Sequence, residues 1–208
     1  MEVFVSSGIQ SIYLVRHGET AWSRSGQHTG RTDLPLTGQG EDNARRLRGR
    51  LAGLSFGKIL RSPLQRASRT CDLAGFGGVA EDDPNLVEWN YGDYEGLRTA
   101  EIHGRRPGWQ LFRDGCPGGE SPADVARRAD DVLRRVTACD GNVLIFSSGH
   151  FLRMLATRWL GLEPARGALF ELDPASVSVL EGGADTQHLM KLWNDTGHLF
   201  KPSTNTTK

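Results

Sequence analysis

Residues 142–155 read NVLIFSSGHFLRML, an apolar run that stops at four small or polar residues and then resumes with helical spacing. The run 142–146 is typical of a buried strand, and 151–160 is typical of the helix that follows it. Two further apolar strands are predicted at 9–15 and 58–60, each leading through a polar turn into a helical pattern. Strands that alternate with helices predict an α/β sandwich of three layers. Its central sheet should be largely parallel, with helices on both faces.

The remaining patterns complete this picture. Thr37 is predicted to cap one helix, Ser62 a second with Pro63 at its first position, and a third opens at 120–122. The runs 168–172, 176–182 and 187–194 are predicted to be strands. Residues 23–37 and 84–96 are interpreted as loops, and 201–208 as a disordered tail. We therefore expect one domain over 1–208, with an ordered core at about 9–198.

Composition excludes several classes of partner. The chain has 25 Lys and Arg against 25 Asp and Glu, so no overall charge favours nucleic acid or a membrane surface. Cys71, Cys116 and Cys139 lack zinc spacing and are interpreted as free thiols in a reducing compartment. No apolar run is long enough to span a membrane, and the N-terminus does not resemble a signal peptide. A cytoplasmic monomer or homodimer that binds neither nucleic acid nor membranes is expected.

Polar residues follow each of the three predicted strands in the first part of the fold. Arg16 and His17 follow the first strand, Arg61, Ser62 and Arg66 the second, and 147–150 the third. Ligands of open α/β sheets bind beyond the carboxyl ends of the strands. These side chains are therefore expected to meet in one pocket.

The side chains at these strand ends suit phosphate chemistry. Two arginines around a histidine favour a bound phosphate, and a neutral imidazole can attack phosphorus and carry the phosphoryl group. The arginines would offset charge on the equatorial oxygens, and no metal-binding pattern is present. A leaving alkoxide also needs a proton donor. Glu88 lies among Trp89, Tyr91 and Tyr94, which would favour its protonated form by desolvation. Spacing alone does not separate Glu88 from the acids at 82, 83, 93 and 95, and a capped histidine with solvated loop acids is the non-catalytic alternative.

Four ordered blocks resemble a known family. They are LVRHGET (14–20), SPLQRASRT (62–70), LVEWNYGDYEG (86–96) and IFSSGHFLR (145–153). Over about 10–198 the chain resembles the histidine phosphatase superfamily, in its phosphoglycerate-mutase-like branch. The segments WSRSGQHTGRTDLPLT (22–37) and WQLFRDGCPGGES (109–121) are similar to those of small bacterial phosphatases of this branch and of fungal sedoheptulose-1,7-bisphosphatases, rather than to those of true mutases.

The resemblance implies a phosphatase that needs no metal or cofactor and acts on a small phosphorylated metabolite, a sugar phosphate or bisphosphate. His17 would be the phosphorylated nucleophile, and Glu88 the proton donor and later the base for water. Arg16 and Arg66 would hold the phosphate. The remaining expected substrate contacts are Ser23, His28, Thr29, Gly149 and His150. Trp109, Phe112 and Arg113 would line the entrance, or the two aromatic residues would belong to the core.

Ser148 departs from the family pattern, because the family usually has a second histidine at this position. That histidine donates to the phosphate, and losing one such donor costs about 2.7–4 kcal/mol, or roughly 10²–10³ in rate. Backbone N–H groups of the helix that begins at Phe151 would still be offered to the anion. Three explanations are open: an introduced substitution, which the otherwise intact pocket favours, a natural serine in a tolerant enzyme, or a pseudophosphatase that only binds phosphorylated ligands. A phosphoglycerate mutase is a further alternative, against which the short 97–120 segment counts.

Overall fold

The computed structural model describes residues 10–182 and 187–200, in which a six-stranded sheet lies between two layers of helices. The strands are β1 Gln10–Arg16, β2 Lys58–Arg61, β3 Glu81–Asp82, β4 Val143–Ser147, β5 Val177–Gly182 and β6 Leu189–Asp195. Their order in the sheet is β3-β2-β4-β1-β5-β6. Strand β5 runs in the direction opposite to that of the other five strands. The predicted α/β architecture with a largely parallel sheet is confirmed.

Seven α-helices are described around this sheet. They are α1 Ala21–Ser25, α2 Gly38–Arg50, α3 Gln65–Leu73, α4 Thr99–Arg105, α5 Leu111–Asp114, α6 Pro122–Val136 and α7 Gly149–Trp159. Short 3₁₀ helices occur at Pro84–Leu86, Gly92–Tyr94, Pro164–Leu169 and Gly197–Leu199. None of the helices in 10–182 and 187–200 has the length and apolar character needed to cross a membrane.

The two central strands bury side chains on both faces of the sheet. From β1 and β4, Ile12, Leu14, Val143 and Ile145 pack into the core that contains α6 and α7. Their neighbours Val15, Leu144 and Phe146 pack with apolar residues of α2 and α3 on the opposite face. Covered faces explain why these strands read as continuous apolar runs rather than as an alternating pattern.

The carboxyl ends of β1 and β4 form the crevice that positions the site. Arg16 pairs with Ser147 in register, so the residues after these two positions emerge side by side. From β1 the chain continues towards β2 on one side of the crevice, whereas from β4 it continues past β1 to β5. A crevice where successive connections diverge in this way is the usual ligand position in open α/β sheets.

Several local predictions differ from the structure. Leu64 rather than Ser62 precedes the first turn of α3, and the Ser62 hydroxyl accepts the Leu64 N–H at 3.4 Å instead. The predicted strand at 168–172 is wrong, because its first two residues belong to the 3₁₀ helix Pro164–Leu169 and residues 170–172 have no regular secondary structure. Strand β3 was not predicted, since two exposed residues carry no periodicity. Helix α7 begins at Gly149, two residues earlier than expected. The predicted disordered tail, 201–208, lies outside the described residues.

Candidate active site

A cavity of about 260 Å³ opens at the carboxyl ends of β1 and β4. Most of the predicted site residues line it, namely Arg16, His17, Ser23, His28, Thr29, Glu88, Gly149 and His150. The other lining residues are Gly26, Gln27, Tyr91, Thr99, Arg153 and Leu172. Arg66 and Ser148 are fully buried and are not among the lining residues.

The imidazole of His17 is held as one neutral tautomer. Its Nδ1 lies 2.8 Å from the carbonyl oxygen of Gly18. A carbonyl only accepts, so Nδ1 carries the proton and Nε2 keeps its lone pair. Burial, and then the charges of Arg66 and Arg16, hold the pKa of His17 well below its ordinary value. The ring therefore presents an unprotonated nitrogen near neutral pH.

The turn that carries His17 is fixed by backbone contacts from three elements. The His17 N–H donates to the Ser147 carbonyl at 2.9 Å, and the Gly18 N–H donates to Thr70 Oγ1 at 3.0 Å. Glycine is required at position 18, because a Cβ there would lie 2.5 Å from the carbonyl oxygen of Gly40. The turn is thus packed between α3 and the start of α2.

Arg16 and Arg66 are buried cations without an acidic partner among residues 10–182 and 187–200. Arg16 donates to the Leu172 carbonyl, and Arg66 donates to the carbonyls of Thr29, Gly30 and Thr32 at 2.9–3.2 Å. The Nε atoms of both arginines are buried without a hydrogen-bond partner in the part of the chain described. Burial lowers the pKa of both guanidinium groups, although they stay charged at any ordinary pH. Buried, unneutralised donors of this kind favour an anion.

Glu88 is held at the N-terminus of α7. Its Oε1 accepts the N–H groups of Trp89 at 2.9 Å and Phe151 at 2.8 Å, and its Oε2 accepts the His150 N–H at 3.0 Å. Of the five acids that spacing left open, Glu88 is the one that lines the cavity. The others have partners elsewhere or face solvent. For example, Asp83 pairs with Arg135, and Glu95 accepts the N–H groups of Gly30 and Thr32.

This arrangement corrects the expectation that the start of α7 offers its N–H groups to an anion. The N–H groups of His150 and Phe151 already donate to Glu88. The sequence alone could not show this, because Glu88 lies more than 60 positions away along the chain. An anion in the cavity must therefore rely on side-chain donors to a larger extent than predicted.

Ser148 occupies the N-cap position of α7 without capping it. Its side chain is fully buried, and its Oγ has no hydrogen-bond partner in 10–182 and 187–200. A buried hydroxyl without a partner is unfavourable by about 1–3 kcal/mol. Ser148 directly precedes Gly149, which lines the cavity.

Two further histidines, His28 and His150, line the cavity together with Tyr91. His150 Nδ1 and the Tyr91 hydroxyl are 2.6 Å apart, and the His28 ring centroid lies 4.9 Å from that of Tyr91 and 5.8 Å from that of His150. Burial lowers the pKa of His28 to about 4 and holds that of His150 well below its ordinary value. Both rings are therefore neutral hydrogen-bonding groups near pH 7.

The remaining predicted contacts differ in what their side chains do. The Ser23 hydroxyl belongs to the capping box of α1, and the Thr29 hydroxyl donates to the Gln27 carbonyl at 3.4 Å. Trp109 and Phe112 are each 3 % exposed, and their rings pack against His28 and His150 from behind. Arg113, which was expected at the entrance, is not among the residues that line the cavity, and its guanidinium pairs with Asp114 at 2.8 Å.

Arg153 was not predicted, although it lines the cavity. Its guanidinium carbon lies 4.7 Å from the ring centroid of Phe112, and its Nε donates to the Gly167 carbonyl at 3.1 Å. Arg153 follows Gly149 by four residues on α7, so the two share a helix face. This four-residue spacing from Gly149 is the feature of the sequence that could have identified Arg153 as a cavity residue. Tyr91 also lines the cavity, whereas the sequence identifies it only as an aromatic neighbour of Glu88.

These features agree with the comparison with known families. A sequence model described as the histidine phosphatase superfamily, branch 1, matches residues 12–196. The chain belongs to this superfamily. The predicted family and its enzyme class, a histidine-phosphatase-type hydrolase, are confirmed at this level.

Relatives within the superfamily include named phosphatases. An acid phosphatase of Mycobacterium tuberculosis is 42% identical over 175 residues, covering 81% of this chain and 84% of the relative. A sedoheptulose 1,7-bisphosphatase of Saccharomyces cerevisiae is 36% identical over 184 residues, covering 72% of this chain and 67% of the relative. The solved structure of the open reading frame Rv3214 of Mycobacterium tuberculosis superimposes with a TM-score of 0.83 and 36% identity, over 91% of this chain and 99% of that one.

In residues 10–182 and 187–200, no three or more His, Cys, Asp or Glu side chains are grouped so that they could hold a metal ion. The metal-independent reaction expected from the sequence stays a prediction.

Proposed function

We propose that this chain is a metal-independent phosphomonoesterase that hydrolyses a small phosphorylated metabolite, a sugar phosphate or bisphosphate, through a phosphohistidine on His17. The observation that carries the proposal is the neutral His17 ring, with Nδ1 bound to the Gly18 carbonyl and two buried, unneutralised arginines beside it. The names of the two phosphatase relatives support a phosphorylated metabolite as substrate.

In the first step Nε2 of His17 attacks phosphorus, a P–N bond forms, and the bond from phosphorus to the ester oxygen breaks. The imidazole becomes positively charged, and its Nδ1–H donates to the Gly18 carbonyl throughout. Arg16 and Arg66 offset the charge on the equatorial oxygens of the transferred group. Their unpartnered Nε–H groups are the donors assigned to this task.

Glu88 supplies the proton that the leaving alkoxide needs. Because Oε1 already accepts two N–H groups, the transferable proton is assigned to Oε2, which accepts only one. After the alcohol leaves, the Glu88 carboxylate takes a proton from water, and the resulting nucleophile attacks the phosphohistidine. The P–N bond breaks, inorganic phosphate leaves, and both His17 and protonated Glu88 are restored.

Ser148 makes this chain slower than a relative with histidine at the same position. A serine hydroxyl offers one neutral hydrogen bond and cannot carry a positive charge. The missing donor corresponds to roughly 10²–10³ in rate. Binding depends on Arg16 and Arg66 and should be affected less than turnover.

The test is the Ser148→His variant, assayed on a panel of sugar phosphates with EDTA present. We expect kcat to rise by roughly 10²–10³, and the matched variant Ser55→His, at an exposed loop position, to leave it unchanged. Rapid quenching at alkaline pH should trap acid-labile phosphate on His17. Label on a serine would overturn the mechanism. Tight binding without turnover, even after Ser148→His, would instead favour a protein that only binds phosphorylated ligands.

A further inference from the structure

Arg128, a largely buried arginine of α6, binds the backbone of the loop that carries Glu88. Its Nη1 donates to the carbonyls of Asn85 at 2.8 Å and Val87 at 2.6 Å, and its Nη2 donates to the Glu88 carbonyl at 3.4 Å. Arg128 is not among the residues that line the cavity. One guanidinium therefore fixes the backbone up to and including the proposed proton donor, from behind the cavity.

Glu120 holds the residues on the other side of Glu88. It forms a two-point ion pair with Arg128, from Nε to Oε1 at 3.1 Å and from Nη2 to Oε2 at 3.0 Å. Its Oε2 also accepts the Asn90 N–H at 2.7 Å, and its backbone carbonyl accepts the indole N–H of Trp89 at 2.9 Å. The side chains of Arg128 and Glu120 are only 11% and 18% exposed, so this pair is partly desolvated and its planar geometry is specific to arginine.

Arg128 also contacts the helix that holds the Glu88 carboxylate. Its guanidinium carbon lies 4.5 Å from the centroid of the Phe151 ring, a cation–π contact. The backbone N–H of Phe151 donates to Glu88 Oε1 at 2.8 Å. The same arginine thus touches both the loop that carries Glu88 and the first turn of α7, against which the carboxylate is placed.

We infer that Arg128 and Glu120 are positioning residues of the reaction, which act through the Glu88 carboxylate without touching the substrate. This inference rests on the proposed function, in which Glu88 is the proton donor. Proton transfer depends on geometry, and a misplacement of about 1 Å can cost roughly 10² in rate. A loss of the pair between Arg128 and Glu120 should therefore affect the step that needs the proton and leave phosphate binding nearly unchanged.

The kinetic test is Arg128→Lys, which keeps the charge but loses the two-point pair. In the Ser148→His background, kcat for the sugar phosphate that is hydrolysed fastest should fall about tenfold or more, with KM within about threefold. For p-nitrophenyl phosphate, whose leaving group departs without protonation, kcat should fall by less than about threefold. An equal loss with both substrates, or no loss with either, would overturn the inference.

Arg158→Lys is the matched control. Arg158 of α7 also forms a two-point pair, with Asp130 of α6 at 2.8 and 3.1 Å, and neither residue lines the cavity. This variant should change kcat for neither substrate. A loss as selective as that of Arg128→Lys would mean that any weakened contact between α6 and α7 has the same effect, and would contradict the role of Arg128.

A double variant shows whether Arg128 acts through Glu88. In the Glu88→Gln background no carboxyl proton remains to be positioned, so adding Arg128→Lys should lower kcat for the sugar phosphate by less than about twofold. The full loss in that background would show that Arg128 acts independently of Glu88.

Hydrogen exchange tests the placement of Glu88 without turnover. Leu152 is the first residue of α7 whose N–H donates within the helix, to the Ser148 carbonyl, so protection of the Phe151 N–H reports its bond to Glu88. In the otherwise unmodified chain, Arg128→Lys should speed exchange of the Phe151 N–H about tenfold more than that of Ile145 in β4. Equal changes at the two amides would overturn the inference. If Ser148→His shows no turnover while the Phe151 N–H responds in this way, the proposed function fails and the positioning of Glu88 stands.

Glu120→Gln tests the same pair from its acidic side and does not depend on the folding of Arg128→Lys. The amide keeps one oxygen as an acceptor but has no charge for Arg128. In the Ser148→His background, its loss of kcat should be at least about threefold larger with the sugar phosphate than with p-nitrophenyl phosphate. Equal losses with the two substrates would contradict the role of the pair.

Discussion

Glu88 accepts the backbone N–H of Phe151 at 2.8 Å, a bond that joins residues 63 positions apart and attaches the aromatic loop to the first turn of α7. The same carboxylate lines the cavity and accepts the His150 N–H. Oε1 of Glu88 therefore accepts two backbone N–H groups, whereas Oε2 accepts one and keeps a lone pair for a proton. This division allows its chemistry to be tested separately from its packing.

Glu88→Gln should slow the hydrolysis of sugar phosphates by roughly 10²–10⁴, because an amide has no proton to give to an alkoxide. Hydrolysis of p-nitrophenyl phosphate should fall much less, since that leaving group departs without protonation. Both are measured as kcat in the Ser148→His background. Glu101→Gln is the control, because Glu101 also accepts a backbone N–H group, that of Arg98, but does not line the cavity. An equal loss with both substrates would remove Glu88 from the role of proton donor.

Gly149→Ala should weaken the binding of inorganic phosphate by about tenfold, or 1.4 kcal/mol. The added Cβ would lie 3.2 Å from Nε and 3.3 Å from the guanidinium carbon of Arg16, which must then move from its present position. The Kd from calorimetry measures the effect. Gly49→Ala in α2 meets nothing within 4 Å and should leave the Kd unchanged while raising the free energy of unfolding by up to about 1 kcal/mol. An unaltered Kd for Gly149→Ala would show that Arg16 does not contact the phosphate.

The free energy of unfolding should fall as the pH is lowered from 8 to 5. The pKa values of His17, His28, His150 and His198 are all depressed by burial, so below pH 6.5 the unfolded chain binds protons that the folded chain does not. Each such histidine contributes stability that is fully present above about pH 6.5. It is lost below that pH at about 1.4 kcal/mol per unit, and for His28 the loss ends near its folded pKa of about 4.

Urea unfolding at several pH values measures this dependence. His28→Gln removes one of these four groups and should flatten the profile between pH 6.5 and 5 by up to about 1.4 kcal/mol per unit. A profile that is equally steep with and without His28 would mean that its ring is protonated in the folded protein.

The sequence by itself determined the features that depend on neighbours along the chain. The strands β1, β2 and β4, the cap of Thr37 and the helix that begins after Ser121 follow from contiguous apolar runs and local hydrogen bonding. Because parallel strands align their carboxyl ends, the same patterns also place Arg16, His17 and the 147–150 turn in one crevice. The four motifs, in their order along the chain, were then enough to predict the family.

The tertiary structure decided what depends on lateral contacts between distant segments. Arg153 faces the cavity because α7 packs beside β1, Tyr91 meets His150 across 59 positions, and the N–H groups of α7 are occupied by Glu88 rather than left for an anion. A local pattern carries no information about which distant side chain will lie opposite, since that choice is made by the packing of loops and helices on the sheet. For the same physical reason the sequence predicts that position 148 lacks the histidine usual in the family, but only the fold shows that the buried Ser148 hydroxyl has no hydrogen-bond partner among the residues described.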